Sequence, residues 1–213
     1  MVYELRTYTL VPGTQGKYLE LNRDIGRKVR GDRFGKLEGA WTTEIGPLNR
    51  YVHLWSYPDL NERERLRKAL GAEPGWKDYV GQIQPLILEQ ENKILVAADG
   101  LPFTPPIGGD RHIYELRTYR TKTGKAPEWL GHFREIMPTR EKYSKNVGVW
   151  STDVAQLNQV VHLWAYGDLN HRADVRGKVM QDPGWKVFLG KATPLLVDMQ
   201  SMVMVPTDAS PIK

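Results

Sequence analysis

Two histidines lie in the same four-residue context, Val-His-Leu-Trp, and this repetition makes them candidates for chemistry. They are His53 and His162. An imidazole changes its charge near neutral pH, so a histidine in a pocket can move a proton, or it can ligate haem iron. The structural alternative is an imidazole that hydrogen-bonds a neighbour on its own sheet. We therefore take both histidines as candidate catalytic residues and keep the structural role as the alternative.

At two places in the chain, an arginine follows a glutamate by two residues. Glu4 and Arg6 lie in Tyr-Glu-Leu-Arg-Thr-Tyr, and Glu115 and Arg117 lie in an identical run. A guanidinium can bind a substrate carboxylate or enolate through charge-assisted hydrogen bonds. It can equally neutralise the neighbouring glutamate in a buried ion pair. The sequence leaves these two interpretations open.

Aromatic residues near these motifs complete the candidate ligand-binding set, because their rings can line a pocket and tyrosine hydroxyls can donate to a ligand oxygen. These candidates are Tyr8, Trp55, Tyr57, Tyr119, Trp164 and Tyr166. The chain has no cysteine, and no second histidine or carboxylate lies at metal-ligand spacing, so we predict no metal site. We also predict no cofactor, with haem as the one exception considered.

The 213 residues contain two copies of one module, since several motifs occur twice in the same order. A repeat this long indicates duplicated domains, because the repeats of solenoids run to about 20–50 residues. The predicted organisation is one module over 1–97, a Pro/Gly-rich linker over 98–111, a second module over 112–206 and a tail over 207–213. The copies differ at several positions, so two sites, if present, need not be equivalent.

Each copy follows the order strand, helix, strand, strand, helices, strand. This order predicts an α+β fold, in which a four-stranded antiparallel sheet carries its helices on one face as in ferredoxin-like proteins. Asp59 with Glu62 forms a capping box that starts a helix. In the first copy the predicted elements are a strand over Val2–Leu10, a helix over 15–34, strands over 39–46 and 50–57, helices from Asp59 to Leu70 and from Pro74 to Pro85, and a strand over 91–97.

Period-two alternation divides the strand over 51–57 into two faces. One face is aliphatic and carries Val52 and Leu54, and the other carries His53 and Trp55. We place the aliphatic face under the helices and the polar-aromatic face on the opposite side, where the faces of the two copies could close on each other. Because the first and third strands are neighbours in such a sheet, we expect two clusters: Glu4, Arg6, His53 and Trp55, and Glu115, Arg117, His162 and Trp164.

Longer motifs extend the repeated runs along most of the chain. They are Trp-Thr-Thr-Glu-Ile-Gly from residue 41, His-Leu-Trp-Ser-Tyr-Pro-Asp-Leu from residue 53, and Pro-Leu at residue 85 followed by Glu-Asn-Lys-Ile-Leu from residue 91. With the two Tyr-Glu-Leu-Arg-Thr-Tyr runs, they resemble the NIPSNAP family. The resemblance implies the dimeric α+β barrel fold, here as two tandem ferredoxin-like modules that pair their antiparallel sheets into an α+β barrel.

The resemblance implies less about activity, because the molecular function of the family is poorly defined. Its animal members are linked to mitochondria and to mitophagy signalling, and they carry N-terminal extensions that are absent here. More distant relatives of the fold include cofactor-free monooxygenases, haem-degrading enzymes and small-molecule isomerases. A reaction carried over from any of them would rest on likeness of fold alone.

Two function hypotheses follow. In the first, a polar-aromatic barrel pocket binds a small molecule, with a metal-free enzyme of the monooxygenase or isomerase type among the activities considered. Arg6 and Arg117 would then hold an anion, while His53 and His162 would move a proton. The alternative is a non-catalytic interaction or adaptor protein. An open pocket on the order of a few hundred Å³ beside either histidine favours the first hypothesis, and a filled interior favours the second.

Charge and hydropathy limit the other partners. The net charge is +5, but acidic residues interrupt even the most basic stretch, residues 23–36. We interpret that stretch as a solvated helix face and predict no nucleic-acid partner. No apolar run approaches the roughly 20 residues of a membrane span, and no signal segment is seen, so we expect a cytoplasmic protein. Sheet edges that need covering make a homo-oligomer a further expectation.

Overall fold

The computed structural model describes residues 1–106 and 112–213. They divide into two compact units: unit 1 comprises Met1–Ile94 and Val205–Lys213, and unit 2 comprises Leu95–Met204. Within the predicted linker, residues 98–106 form neither helix nor strand, and residues 107–111 lie outside the described residues. In the described part of the chain, no helix is both long enough and apolar enough to span a membrane.

Unit 1 has its elements in the predicted order. They are β1 (Val2–Leu10), α1 (Gln15–Leu21), a π-helical turn (Asn22–Gly26), α2 (Arg27–Arg30), β2 (Lys36–Ile45), β3 (Arg50–Tyr57), α3 (Leu60–Ala72), α4 (Pro74–Ile83), a 3₁₀ turn (Gln84–Leu86) and β4 (Ile87–Ala97). The predicted first strand is confirmed in full. The helix predicted over 15–34 ends at Arg30, because Gly31 has a φ of 51° and leaves the helical region. The last strand begins at Ile87 rather than at residue 91.

Unit 2 repeats this order without the π-helical turn. Its elements are β5 (Ile113–Thr121), α5 (Ala126–Arg140), β6 (Lys145–Val154), β7 (Gln159–Tyr166), α6 (Leu169–Val179), α7 (Pro183–Ala192), a 3₁₀ turn (Thr193–Leu195) and β8 (Leu196–Pro206). The first helix of this unit is therefore one continuous α-helix, whereas the corresponding segment of unit 1 contains an interruption.

Side chains and prolines fix the starts of the later helices in both units. Asp59 accepts a hydrogen bond from the backbone N–H of Glu62 at 2.8 Å, and Asp168 caps α6 in the same way. Such a cap satisfies one of the backbone donors that a helix start leaves unpaired. Pro74 and Pro183 occupy the first turn of α4 and α7, where a missing N–H costs nothing.

The strand order within each unit is that of a ferredoxin-like sheet, β4-β1-β3-β2 in unit 1 and β8-β5-β7-β6 in unit 2. The central pairs β1·β3 and β5·β7 are antiparallel. The eight strands belong to a closed antiparallel barrel, which confirms the predicted α+β barrel class.

The faces predicted for the central strand β3 are reversed in the structure. His53 and Trp55 face the helices, where they share a cavity with Tyr18 of α1 and Tyr79 of α4. The prediction failed because alternation separates the two faces of a strand but does not say which one the helices cover. Here the inner surfaces of the helices are themselves aromatic and polar. The pocket predicted inside the barrel is therefore corrected to a cavity between the sheet and the helices of each unit.

Two tryptophans pack directly on glycines beside irregularities in β2 and β6. The register against the neighbouring strand shifts just before Gly39 and just before Gly148. A Cβ at Gly39 would lie 2.1 Å from the ring of Trp41, and a Cβ at Gly148 would lie 2.4 Å from the ring of Trp150. Both rings are almost fully buried, so they have little room to move away.

We predict that Gly39→Ala lowers the free energy of unfolding by about 1–3 kcal/mol, the usual cost of overpacking a filled core. Urea denaturation of the variant measures this loss. Gly71→Ala is the matched control, since nothing lies within 4 Å of a Cβ at that helical position. A Gly39→Ala protein as stable as the wild type would show that the indole moves freely.

Candidate functional site

Each unit encloses a cavity of about 470 Å³ between its sheet and its helices. We call the cavity of unit 1 site 1 and that of unit 2 site 2. The main side chains around site 1 are Arg6, Tyr8, His53 and Trp55 from the sheet and Tyr18, Arg30, Arg67 and Tyr79 from the helices. Around site 2 they are Arg117, Tyr119, His162 and Trp164 from the sheet and Trp129, Arg140, Arg176 and Phe188 from the helices.

Strand register brings the predicted residues together in both units. Arg6 lies opposite His53 across the β1·β3 pair, and Glu4 lies opposite Trp55. The β5·β7 pair repeats this arrangement residue for residue. Side chains opposite each other on neighbouring strands point to the same face of the sheet. The expected clustering of the two groups is therefore confirmed.

A fully buried carboxylate lies beneath site 1. Glu4 is 0% exposed, and its Oε1 lies 2.9 Å from Nη1 of Arg6, 2.5 Å from Nη2 of Arg63 and 3.6 Å from Nη1 of Arg67. The Tyr57 hydroxyl donates to its Oε2 at 3.2 Å. Burial raises the pKa of Glu4, but the hydrogen bond from Arg63 and the charges of Arg6 and Arg67 outweigh it and lower this pKa to about 2.

Unit 2 buries an equivalent carboxylate with an equivalent set of cations. Glu115 contacts Arg117 at 3.0 Å, Arg172 at 2.7 Å and Arg176 at 3.6 Å. Its Oε1 also accepts a hydrogen bond from Ser201 at 2.6 Å. Burial again raises the pKa, and the hydrogen bond from Arg172 and the charge of Arg117 again lower it to about 2. Tyr166 donates to Glu115 as Tyr57 does to Glu4, so both predicted tyrosines lie below the cavities rather than around them.

A further arginine in each unit is buried without an anionic partner. Arg30 is 4% exposed and Arg140 is 3% exposed. Among residues 1–106 and 112–213, no carboxylate oxygen lies within 4.0 Å of either guanidinium. The Cζ of Arg30 lies 3.2 Å from the centre of the Trp55 ring, and the Cζ of Arg140 lies 4.2 Å from that of Trp164. Burial lowers the pKa of both arginines, so an anion would stabilise their charged form.

The charge around each buried carboxylate does not balance. In unit 1 one carboxylate faces the guanidiniums of Arg6, Arg30, Arg63 and Arg67. Four positive charges against one negative charge leave a net excess of three. Unit 2 has the same excess around its own glutamate. Of the four arginines of unit 1, Arg6, Arg30 and Arg67 line site 1, together with Arg27 and one carboxylate, Glu89.

The two histidines have their tautomer fixed by tryptophan. Trp55 Nε1 donates to His53 Nδ1 at 2.8 Å, and Trp164 Nε1 donates to His162 Nδ1 at 2.7 Å. An indole N–H can only donate, so Nδ1 carries the lone pair and the proton is on Nε2. Burial lowers the pKa of both histidines well below its ordinary value, and the Arg6 and Arg117 guanidiniums lower it further. Each ring is therefore a neutral donor through Nε2–H.

These Nε2 atoms are buried and have no hydrogen-bond partner in the described part of the chain. His53 lines site 1 and His162 lines site 2. Leaving a buried donor unpaired costs on the order of 1–3 kcal/mol. An acceptor atom on a bound molecule would remove that cost, so each site presents an unsatisfied donor beside a cluster of cations.

Arg6 forms the buried ion pair that the structural interpretation predicts, and it also lies at the cavity. Its Nη1 binds the buried Glu4, and its Nε donates to the Tyr8 hydroxyl at 2.9 Å. Its side chain also lines site 1. Arg117 makes the same contacts in unit 2. The ion pair is therefore structural, and it also holds the guanidinium at the cavity.

Sequence reasoning missed the helical arginines, and a signal for them was present. Arg30 lies within the basic stretch interpreted as a solvated face, yet it is buried. It lies twelve residues after Tyr18, and Arg140 lies eleven residues after Trp129. Eleven residues make about three helical turns, which places both side chains on one face. The π-helical turn of unit 1 absorbs the additional residue, so comparing the two helices would have paired the arginines.

Among the described residues, no group of three or more histidine, aspartate and glutamate side chains could hold a metal ion. Haem ligation also fits this arrangement poorly. A histidine that binds iron through Nε2 needs its proton on Nδ1, whereas Nδ1 here accepts from tryptophan.

Comparisons with known proteins agree with the fold and extend over the chain. The family model NIPSNAP matches residues 3–102 and 114–211. Protein NipSnap homolog 3A of Homo sapiens is 31% identical over 99% of this chain and 85% of its own length. Protein NipSnap homolog 1 of Danio rerio is 29% identical over 100% of this chain and 77% of its own length. The solved structure of a putative monooxygenase from Fusobacterium nucleatum covers 100% of this chain and 97% of its own, with 11% identity and a TM-score of 0.70.

We predict that Glu4 makes stability depend on acid pH. Its folded-state pKa of about 2 lies below the ordinary value of 4.5, so its contribution is complete above pH 4.5 and is lost as the pH falls towards 2. Between pH 7 and pH 3 the loss amounts to roughly 2 kcal/mol. In urea denaturation over this range, Glu4→Gln should therefore lose less stability than the wild type.

Glu20→Gln is the control for this measurement, because that carboxylate is half exposed and its ion pair with Lys17 lies at the surface. Exposed ion pairs contribute little to stability, so this variant should follow the wild-type curve. Parallel curves for the wild type and Glu4→Gln would contradict the prediction.

Proposed function

The chain belongs to the NIPSNAP family, and on that premise we propose that each unit binds a small organic anion in its cavity. The observation that carries the proposal is the buried arginine without a carboxylate, Arg30 in site 1 and Arg140 in site 2. A buried charge is costly unless it is paired. A carboxylate, phenolate or enolate in the cavity would supply the pair.

The hydrogen-bonding groups support the same class of ligand. His53 and His162 each offer a neutral Nε2–H that has no acceptor among residues 1–106 and 112–213. Guanidiniums can donate but never accept. An anionic oxygen would satisfy both kinds of donor at once, whereas a cationic ligand would meet repulsion from the arginines.

The aromatic residues around the cavities favour a planar ligand. Site 1 has Trp55 and Trp76 beside it, and site 2 has Trp129, Trp164 and Trp185. Ring faces of this kind pack well on an aromatic or conjugated ligand. A volume of about 470 Å³ lies within the usual range of small-molecule sites. Two open cavities support small-molecule binding over the adaptor role, which would leave the interior filled.

The second candidate function is catalysis without a metal ion, and the hydrogen-bond donors of the arginines and histidines favour it. Guanidiniums and a fixed imidazole N–H are groups that stabilise a developing enolate or phenolate oxygen. We propose the histidines as such donors rather than as proton shuttles, because Nδ1 is occupied and the pKa is well below 6.5. The putative monooxygenase from Fusobacterium nucleatum shares the fold, which allows such chemistry without assigning it. Cytoplasmic location and self-association stay predictions.

We predict that Arg30→Met and Arg140→Met each remove one binding site for an aryl carboxylate. Isothermal titration of the wild type with 2-naphthoate should give two sites, each single variant one site, and the double variant none. Loss of a charge-assisted hydrogen bond weakens binding by roughly tenfold to a hundredfold or more. Methionine keeps most of the side-chain volume, so the fold should persist.

Two controls make this experiment decisive. Arg65→Met also removes one positive charge, but from an exposed arginine that pairs with Glu62, so it should bind two equivalents as the wild type does. The neutral analogue 2-naphthamide should bind the wild type at least tenfold more weakly than 2-naphthoate. Equal binding of the amide and the carboxylate, or full binding by the double variant, would refute the proposal without reference to how any variant folds.

A further inference from the structure

Arg6, Arg30 and Arg67 of site 1 have counterparts in Arg117, Arg140 and Arg176 of site 2, and site 1 has Arg27 and Glu89 in addition. The sites also differ on the wall that the first and last helices of each unit provide. Three polar or hydroxyl-bearing residues of site 1 have apolar or indole counterparts at the matching positions of site 2. The pairs are Tyr18 and Trp129, Asn22 and Phe133, and Tyr79 and Phe188. The two sites therefore differ in the residues that would surround the aromatic part of a ligand, and not in the shared arginines that would bind its anionic group.

In site 1 these residues form a hydrogen-bonded chain. The Tyr51 hydroxyl donates to Asn22 Oδ1 at 3.3 Å, and Asn22 Nδ2 donates to the Tyr79 oxygen at 3.0 Å. The Tyr18 hydroxyl hydrogen-bonds the same oxygen. Asn22 thus donates to the Tyr79 oxygen, and the Tyr79 O–H can itself donate to a ligand oxygen. Tyr79 is buried and lines site 1.

In site 2 the same wall is aromatic and nearly without polar atoms. Trp129 stacks on Phe133 with ring centres 4.6 Å apart, and Phe188 lies 5.8 Å from Phe133. Met180 and Met199 also line this cavity. The polar groups of the wall are Thr193 and the Trp129 Nε1–H, which is buried and has no partner in the described residues. A ligand hydroxyl beside Phe188 would find no hydrogen-bond donor in that ring.

We infer that the two sites are not equivalent, and that site 1 prefers a hydroxylated aryl anion while site 2 prefers one without a hydroxyl. This inference rests on the proposed anion binding at the shared arginines. In site 1 a ligand hydroxyl can accept from Tyr79, and in site 2 the same hydroxyl would lie against the Phe188 ring, which offers it no hydrogen bond. Groups that hydrogen-bond a substrate hydroxyl discriminate against analogues that lack it, and apolar walls reject an added hydroxyl less strongly.

The test compares 2-naphthoate with its 6-hydroxy and 7-hydroxy derivatives. Arg140→Met leaves site 1 as the binding site, and Arg30→Met leaves site 2. In the site 1 form, at least one hydroxylated probe should bind about tenfold more tightly than 2-naphthoate. In the site 2 form, 2-naphthoate should bind about tenfold more tightly than either. The wild type titrated with each probe should show two classes of affinity.

Two matched variants test the role of the tyrosine hydroxyl: one removes it from site 1, and the other adds one at the corresponding position of site 2. Tyr79→Phe in the site 1 form should reduce the preference for the hydroxylated probe to about twofold or less, while binding of 2-naphthoate persists. Phe188→Tyr in the site 2 form should weaken its preference for 2-naphthoate. Both changes keep the ring, so melting temperatures should confirm folded proteins before the titrations.

The outcomes separate this inference from the proposed function. Equal relative affinities for the probes in both single-site forms would overturn the inference and leave anion binding intact. An unchanged preference in Tyr79→Phe would also overturn it, since the hydroxyl would then not act through that residue. Failure of every aryl carboxylate to bind the wild type would instead remove the proposed function, and the inference with it.

Discussion

The structure of each site depends on the burial of one carboxylate. Glu4 has no contact with solvent, and a buried ionised carboxylate is tolerated only when cations and hydrogen-bond donors surround it. The strand that carries Glu4 supplies Arg6 alone. Arg63 and Arg67 come from α3, so the requirement for further cations ties this helix to the first strand. The charge of one side chain thereby fixes how helix and sheet meet.

The arginines around each buried carboxylate carry more positive charge than that carboxylate offsets. Part of this additional charge lies at the wall of the cavity. Arg30 reaches the cluster from the end of α2 and adds a charge that the single carboxylate does not offset. Arg140 does so in unit 2. Tryptophan then covers one face of this guanidinium and also orients the neighbouring histidine. The structural ion pair and the proposed binding surface thus share the same side chains.

Local signals in the sequence were sufficient to predict the order of the strands and the clustering of the repeated residues. Arg6 and His53 meet because period-two alternation and the order of the strands determine which side chains share a face. Which face of the sheet the helices cover could not be predicted from the strands alone. It depends on the inner surfaces of the helices, where Tyr18 and Tyr79 pack against the polar-aromatic face. The burial of Arg30 was hidden for a similar reason. A charged residue on an amphipathic helix usually lies on the solvent-exposed face. The burial of Arg30 becomes visible only when the sheet that packs against the helix is known.

The unpaired guanidinium of each unit has a consequence for the amount of folded protein. Without a ligand, the native state holds a charge that water would solvate better in the unfolded chain. A bound anion stabilises only the folded form, and the stabilisation grows with the ratio of free ligand to its dissociation constant. Cellular proteases remove the unfolded fraction. If each unit binds an anion as proposed, the lifetime of the protein would follow the supply of that anion, and its abundance would report that supply.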